Sequence, residues 1–458
     1  MKRGKFFAKI WIDNFVLMND NELAITPFQS AVSGTVRLPG SKSITARALV
    51  LAALCAGPVR LKNVLFSDDT VGMMNCLEQL GFQVDRDEAN LTVTVYGQGG
   101  DIPHSTAEVN VGNGGTVARF IPALLALKKG GSYKLTAGEA MTKRPMSPLL
   151  GALESAGAIS VTYDGEVGYY PFSIQTNGLP GGKLKIDASR SGQFVSALML
   201  VAPLAEGPLS IQLAGEAVSK PFITLTEKMI HEFGYSSQIS SSDNVYDFSG
   251  NGHYSFKGGE YAIEPDATAA SYFIALVLLV GGRIIFPGMS SRMKQGDAAF
   301  VNLIKSLGLE VKMSEDSWVV QQKIQTAMIG MEHNFSEISD TFLTFAAIAP
   351  LLKGYSCITG IGHTRHQECD RVKCVAQELR KLGQEVHETE ATLEIHPKPL
   401  QPAVIDPHGD HRIAMSFAVL GSYNFNGDGS SWITIKDPGC CSKTFPKFFD
   451  ILENLRIQ

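Results

Sequence analysis

A chain of 458 residues exceeds what one ordinary hydrophobic core serves, so two domains are expected. Its composition, 44% hydrophobic and 19% charged, is that of a globular protein. A net charge of −5 argues against nucleic acid or an anionic membrane as partner, while leaving room for a local basic pocket.

The start of the chain, Met1 to Leu17, mixes basic and apolar residues. Lys9 and Asp13 interrupt it and no cleavage site follows, so no signal peptide is expected. Later apolar stretches are too short or too broken to span a membrane. The seven cysteines form no CxxC pair, which argues against a zinc site or a disulfide framework, and their odd number suits a reducing compartment. A cytoplasmic protein is expected.

From residue 40 onward two kinds of helix alternate. The first pair is GSKSITARALVLAAL (40–54) and, after Ser67-Asp68-Asp69, a helix ending in LEQLGFQV (77–84). The second is GNGGTVARFIPALLAL (112–127) and, after Lys143-Arg144-Pro145, LESAGAISV (153–161). The third is SGQFVSALMLVAPLA (191–205) and, after Ser219-Lys220-Pro221, MIHEFGYSSQI (229–239). The fourth is PDATAASYFIALVLL (265–279) and, after Lys294-Gln295-Gly296-Asp297, IKSLGLEV (304–311). The fifth is SDTFLTFAAIAPLL (339–352) and, after Glu368-Cys369-Asp370-Arg371, LRKLGQEV (379–386). The sixth is GDHRIAMSFAVLG (409–421) and, after Ser442-Lys443-Thr444, a helix near 446–455 where the chain stops early in the pattern.

The members of each series recur at intervals of about 75 residues, which is the mark of an internal repeat. Helices of the first series are apolar nearly all round and should be buried. Those of the second are amphipathic and should face solvent. Most end at a glycine (Gly81, Gly157, Gly234, Gly308, Gly383) suited to a C-cap with positive φ. Each unit reads as strand, helix, strand, helix, strand, strand. Six units suit two lobes of three.

Both series open in loops rich in Lys, Arg, Ser and Gly. Helix N-termini offer free N–H groups and partial positive charge, and cationic side chains add to that attraction for anions. Ser67 to Asp69 read as plain N-caps. Lys42, Arg47, Arg119, Arg144, Arg371, Arg412 and Lys443 all lie in or just after these loops. If the repeat turns the helix starts toward one cleft, the cations converge on a ligand bearing phosphate and carboxylate. Asp340, Glu368 and His411 share the loops. The two carboxylates can serve as base and acid, or simply pair with neighbouring arginines.

In order and spacing, LPGSKSITAR (38–47), GNGGTVAR (112–119), KRP (143–145), SGQF (191–194), SKPF (219–222), QGD (295–297), ISD (338–340), ECDR (368–371), GDHRIAM (409–415) and SKTFP (442–446) are strings of one family. The chain resembles 5-enolpyruvylshikimate-3-phosphate synthase (3-phosphoshikimate 1-carboxyvinyltransferase). The resemblance runs from about residue 30 to the C-terminus. It implies a two-domain inside-out α/β barrel, each domain built of three βαβαββ repeats. The first domain would be 40–263, and the second 1–39 with 264–458. Hinge crossings would lie near 38–39 and 262–264.

The implied reaction moves the enolpyruvyl group of phosphoenolpyruvate to the 5-hydroxyl of shikimate 3-phosphate, by addition and elimination through a tetrahedral intermediate, in chorismate and aromatic amino acid biosynthesis. No metal or other cofactor is implied, and the partners are the two small-molecule substrates of a monomer. Asp340, Glu368 and Lys42 would be catalytic. Lys42, Ser43, Arg47, Ser191, Gln193, Ser219, Asp340 and Gln367 would bind shikimate 3-phosphate. Lys42, Gly115, Arg144, Gln193, Arg371, His411, Arg412 and Lys443 would bind phosphoenolpyruvate. Asn113 and Arg119 would shape their loop.

Gln367, Phe222, Gly192 and His363 depart from the family's usual Lys, Tyr, Ser or Ala, and Asn. Gly114 and Phe120 stand where Ala and Pro are common, so an altered response to glyphosate, which occupies the phosphoenolpyruvate site, is expected. Two alternatives remain at this stage: an enolpyruvyl transferase for another acceptor, and a non-catalytic anion-binding paralogue.

Overall fold

The computed structural model describes residues 17–19, 21–215, 217–242, 244–322 and 328–457. Apart from Leu17, the opening segment read for a leader lies outside the described residues. The helices, in chain order, are α1 (Lys42–Leu54), α2 (Asp68–Gln79), α3 (Gly115–Leu125), α4 (Glu139–Thr142), α5 (Ser147–Ser155), α6 (Gly192–Val201), α7 (Lys220–Glu232), α8 (Ala267–Val280), α9 (Phe300–Ser306), α10 (Phe342–Ile348), α11 (Arg371–Lys381), α12 (His411–Gly421) and α13 (Phe448–Ile457).

The apolar series (α1, α3, α6, α8, α10 and α12) is buried along nearly its whole length. With no polar face to show to water, each such helix must be enclosed by its neighbours. The outer series (α2, α5, α7, α9, α11 and α13) buries one side only. Gly81, Gly157, Gly234, Gly308 and Gly383 hold φ between +73° and +107°, as helix-ending glycines should.

Among the described residues, six four-stranded sheets share one plan. In one copy Thr106–Asn110 runs parallel to Lys129–Thr136, with α3 as the crossover. Lys129–Thr136 pairs antiparallel with Phe172–Asn177, which pairs in turn with Ile159–Tyr163. Three sheets take strands from far along the chain, and in one of them Val32–Thr35 is the parallel edge strand beside Gly282–Pro287. Glu260–Ala262 is the parallel edge strand beside Ala56–Lys62. In the sixth sheet, Ala403–Ile405 and Ile433–Lys436 are joined by Glu22–Ala24 and Leu17–Asn19. The sixth unit, which the sequence shows as cut short, is therefore completed by a hairpin from the start of the chain.

Two apolar clusters form. One draws on residues between Ile44 and Ile263. The other joins Leu23 to Leu38 with Ala267 to Leu455. The connecting segments run side by side: Ser41 N–H donates to Glu264 O at 2.8 Å, and Asp266 N–H donates to Pro39 O at 2.9 Å. Gly40 sits between them, where a Cβ would fall 1.9 Å from Asn63 O.

Candidate active site

A cleft of about 320 Å³ is lined from both halves by the starts of helices. One wall carries Lys42, Ser43 and Arg47 of α1, Arg119 of α3, Arg144, and Ser191, Gln193, Ser219 and Phe222 around α6 and α7. The other carries Ser339, Asp340, His363, Gln367, Glu368, Arg371 and Arg412. Convergence of helix N-termini is a consequence of the repeat, since each copy presents the same end of its helices to the same side.

Two carboxylates sit in this cationic setting. Asp340 Oδ1 accepts from Arg371 Nη1 at 2.8 Å, and its Oδ2 accepts from Arg412 Nη2 at 2.8 Å. Arg371 is itself oriented by Asp410, whose Oδ2 accepts from Nε at 2.7 Å, while Asp410 Oδ1 caps α12 through Arg412 N–H. Glu368 pairs with Lys443, and its Oε2 lies 3.6 Å from Arg144 Nη1. Burial alone would raise both carboxyl pKa values. At Asp340 the charges of Arg412, Arg371 and Lys42 outweigh it and hold the group below the usual carboxylate range. At Glu368 Lys443, Arg144 and Lys42 do the same more strongly.

Lys42 Nζ donates to Asp69 Oδ2 at 3.2 Å, and its backbone N–H donates to Asp266 Oδ2 at 3.2 Å. The N-cap reading holds for Ser67, whose N–H donates to Thr70 Oγ1 at 3.0 Å. It is too simple for Asp69, a buried carboxylate that positions Lys42. Gly115 does not face the cleft directly. A Cβ there would fall 2.7 Å from Arg119 Nη1 and 2.8 Å from Arg144 Nη1, so the missing side chain lets both guanidinium groups close on the loop. Arg119 donates to Gly115 O at 2.9 Å, and Asn113 Oδ1 accepts from Ala140 N at 3.1 Å. Both hydrogen bonds hold the loop, and Arg119 also lines the cleft.

Lys443 stands behind Glu368, and His411 lies deeper still, fully buried, with neither ring nitrogen hydrogen-bonded among the described residues. Burial, then the charges of Arg412 and Lys42, push the His411 pKa well below the ordinary value, so its ring is neutral at pH 7. Gln367 Oε1 accepts from Arg371 Nη1. His363 Nε2 lies 3.0 Å from Ser339 Oγ and 3.4 Å from Ser219 Oγ, touching both walls.

Sequence reasoning gave Asp69 only a capping role and gave none to Asp410, Tyr169 or Arg190. Asp410 was open to detection, because it shares the GDHR string with His411 and Arg412. Tyr169 lies in the loop joining Ile159–Tyr163 to Phe172–Asn177, and only its place in the cleft marks it.

Two cores flanking a cation-lined cleft, with two ionised carboxylates inside it, define an α/β protein built for small anionic molecules. A model of one family, described as EPSP synthase (3-phosphoshikimate 1-carboxyvinyltransferase), matches residues 27–452. A protein of Opitutus terrae named 3-phosphoshikimate 1-carboxyvinyltransferase is 45% identical over 95% of this chain and 97% of its own length. One of the same name from Nostoc punctiforme is 38% identical over 94% and 99%. The solved structure of EPSP synthase from Acinetobacter baumannii shares the fold, with a TM-score of 0.78 at 23% identity over 95% of this chain and 98% of that one. The chain belongs to the EPSP synthase family.

Proposed function

We propose that this enzyme transfers the enolpyruvyl group of phosphoenolpyruvate to the 5-hydroxyl of shikimate 3-phosphate and releases phosphate. The observation that carries the reading is the pair of carboxylates, Asp340 and Glu368, each held by cations that an anionic substrate would draw away. Phosphoenolpyruvate brings a carboxylate and a phosphate. Arg371 and Arg412 can turn to the first, and Arg144, Lys443 and Lys42 to the second, with Gly115 keeping the loop close and Gln193 at its side. His411 supports this wall from behind.

The charge change at each carboxylate then suits its task. Glu368 loses its cations and gains an anionic neighbour, so its pKa rises and it takes up a proton. Glu368 gives that proton to C3 of the enol. The 5-hydroxyl attacks C2 while Asp340, freed from its arginines, accepts the hydroxyl proton. The tetrahedral intermediate next loses a proton from C3 back to Glu368, and the bond from C2 to the phosphate oxygen breaks. The proton on Asp340 passes to the departing phosphate. Ser43, Arg47, Ser191, Gln193, Ser219 and Gln367 hold the acceptor, and Lys42 reaches both substrates.

The two halves, 40–263 against 1–39 with 264–458, would close about the crossings near 38–39 and 262–264, excluding water from the reaction. Separate apolar clusters and adjacent crossing segments support this division. A monomer is favoured because both walls of the cleft come from one chain. A cytoplasmic setting is favoured by seven free cysteines. The test is phosphate release from phosphoenolpyruvate, with and without shikimate 3-phosphate. Release that depends on the acceptor is expected; none with that acceptor present would overturn the reading.

A further inference from the structure

The guanidinium of Arg47 is committed to the protein. Its Nε donates to Thr226 Oγ1 at 2.8 Å and its Nη1 to Ser43 O at 3.0 Å. Its Nη2 donates to Ser196 Oγ at 3.0 Å and Phe222 O at 3.2 Å. An arginine has five N–H donors, so about one is left for a ligand. The rings of Phe120 and Phe222 flank the group at 5.4 and 5.9 Å, and burial lowers its pKa to about 9. Arg47 is thus better placed to hold α1 against α6 and α7 than to clasp a phosphate.

Arg190 is the contrasting case. It lines the cleft and is exposed, and among the described residues it has no ion pair and no hydrogen bond. Asp187 feels its charge, but that carboxylate accepts from the hydroxyl and N–H of Ser189 at 2.6 and 2.9 Å.

Backbone packing fixes where Arg190 stands. Val218 N–H donates to Ala188 O at 3.2 Å, and Ala188 N–H to Ala214 O at 3.2 Å. A Cβ on Gly192 would lie 2.9 Å from Val218 O, so the absence of a side chain lets the loop opening α6 settle against the loop opening α7. Ser191 and Ser219, on the two loops this packing joins, line the same cleft as Arg190. Ser191 Oγ accepts from Gln193 N–H at 3.2 Å, which leaves its O–H free to donate. These two loops contribute no carboxylate to the lining.

We propose that Arg190 holds the phosphate group of the acceptor substrate, with Ser191 and Ser219 as co-donors, and so sets the preference for a phosphorylated acceptor. The inference rests on the reading of shikimate 3-phosphate as acceptor. Steady-state rates of the parent, Arg190→Gln and Arg190→Lys, each with shikimate 3-phosphate and with unphosphorylated shikimate, test it. Arg190→Gln is expected to raise KM for shikimate 3-phosphate roughly tenfold, the scale of one charge-assisted hydrogen bond, with kcat and KM for phosphoenolpyruvate little changed. The preference for shikimate 3-phosphate over shikimate, as a ratio of kcat/KM, should fall by a similar factor, and Arg190→Lys should recover part of it. An unchanged KM, or an equal loss against both acceptors, would overturn the proposal. A parent enzyme inactive with both acceptors would overturn the functional reading itself, and this inference with it.

Discussion

Glu368 is ionised because three cations, Lys443, Arg144 and Lys42, outweigh the cost of its burial. Glu368→Gln keeps shape and hydrogen bonding but cannot deliver a proton. It should lower kcat at least a hundredfold, the usual weight of general acid–base catalysis, while both KM values stay within a few-fold. Steady-state kinetics check this, and equal loss in binding and turnover would assign the residue to binding. His411 gives a stability prediction. Its folded pKa is depressed and its unfolded pKa is about 6.5, so below that pH the unfolded chain binds the extra proton and stability falls with falling pH. His363 and His333, lowered by burial, act in the same direction. Asp340 and Glu368 add to the loss only below the usual carboxylate range, about pH 4. His411→Gln should therefore flatten the slope between pH 6.5 and 5 by up to about 1.4 kcal/mol per pH unit, as read by denaturant unfolding. An unaltered slope would contradict a neutral buried ring. Lys42, Asp340 and Glu368 were legible as candidates because charge recurs at matching points of the repeat. The service of Asp69 to Lys42 was not, because an acid at a helix start looks the same whether it caps the helix or holds a lysine.

At the scale of elements, helix burial and the glycine stops were readable from periodicity. The exchange of strands was not. A repeat read along the chain cannot show that the hairpin Leu17–Asn19 and Glu22–Ala24 serves a sheet whose other strands begin at Ala403. That hairpin carries Leu23, 3% exposed within the second core. Leu23→Ala should cost about 2–5 kcal/mol, as truncation of a buried leucine does. Thermal or denaturant unfolding measures it. A loss below about 0.5 kcal/mol, typical of a surface change, would mean that the hairpin adds little to the sixth unit.

Over the whole molecule, a net charge of −5 coexists with a cleft of clustered cations. The repeat reconciles them by gathering helix starts from both halves at one place. The halves also touch across it: Ser442 Oγ donates to Asp68 Oδ2 at 2.6 Å, and Arg144 reaches Glu368. Six copies were visible in the sequence, but these contacts join residues hundreds of positions apart, with no local signal. The central claim is that C3 of phosphoenolpyruvate is protonated and then deprotonated at Glu368 while the acceptor adds to C2. Product formed in D2O and examined by mass spectrometry or NMR tests it most directly. Deuterium in the methylene group of the product is predicted, because the transient methyl group loses any one of its hydrogens. Product formed at full rate without deuterium would contradict the account.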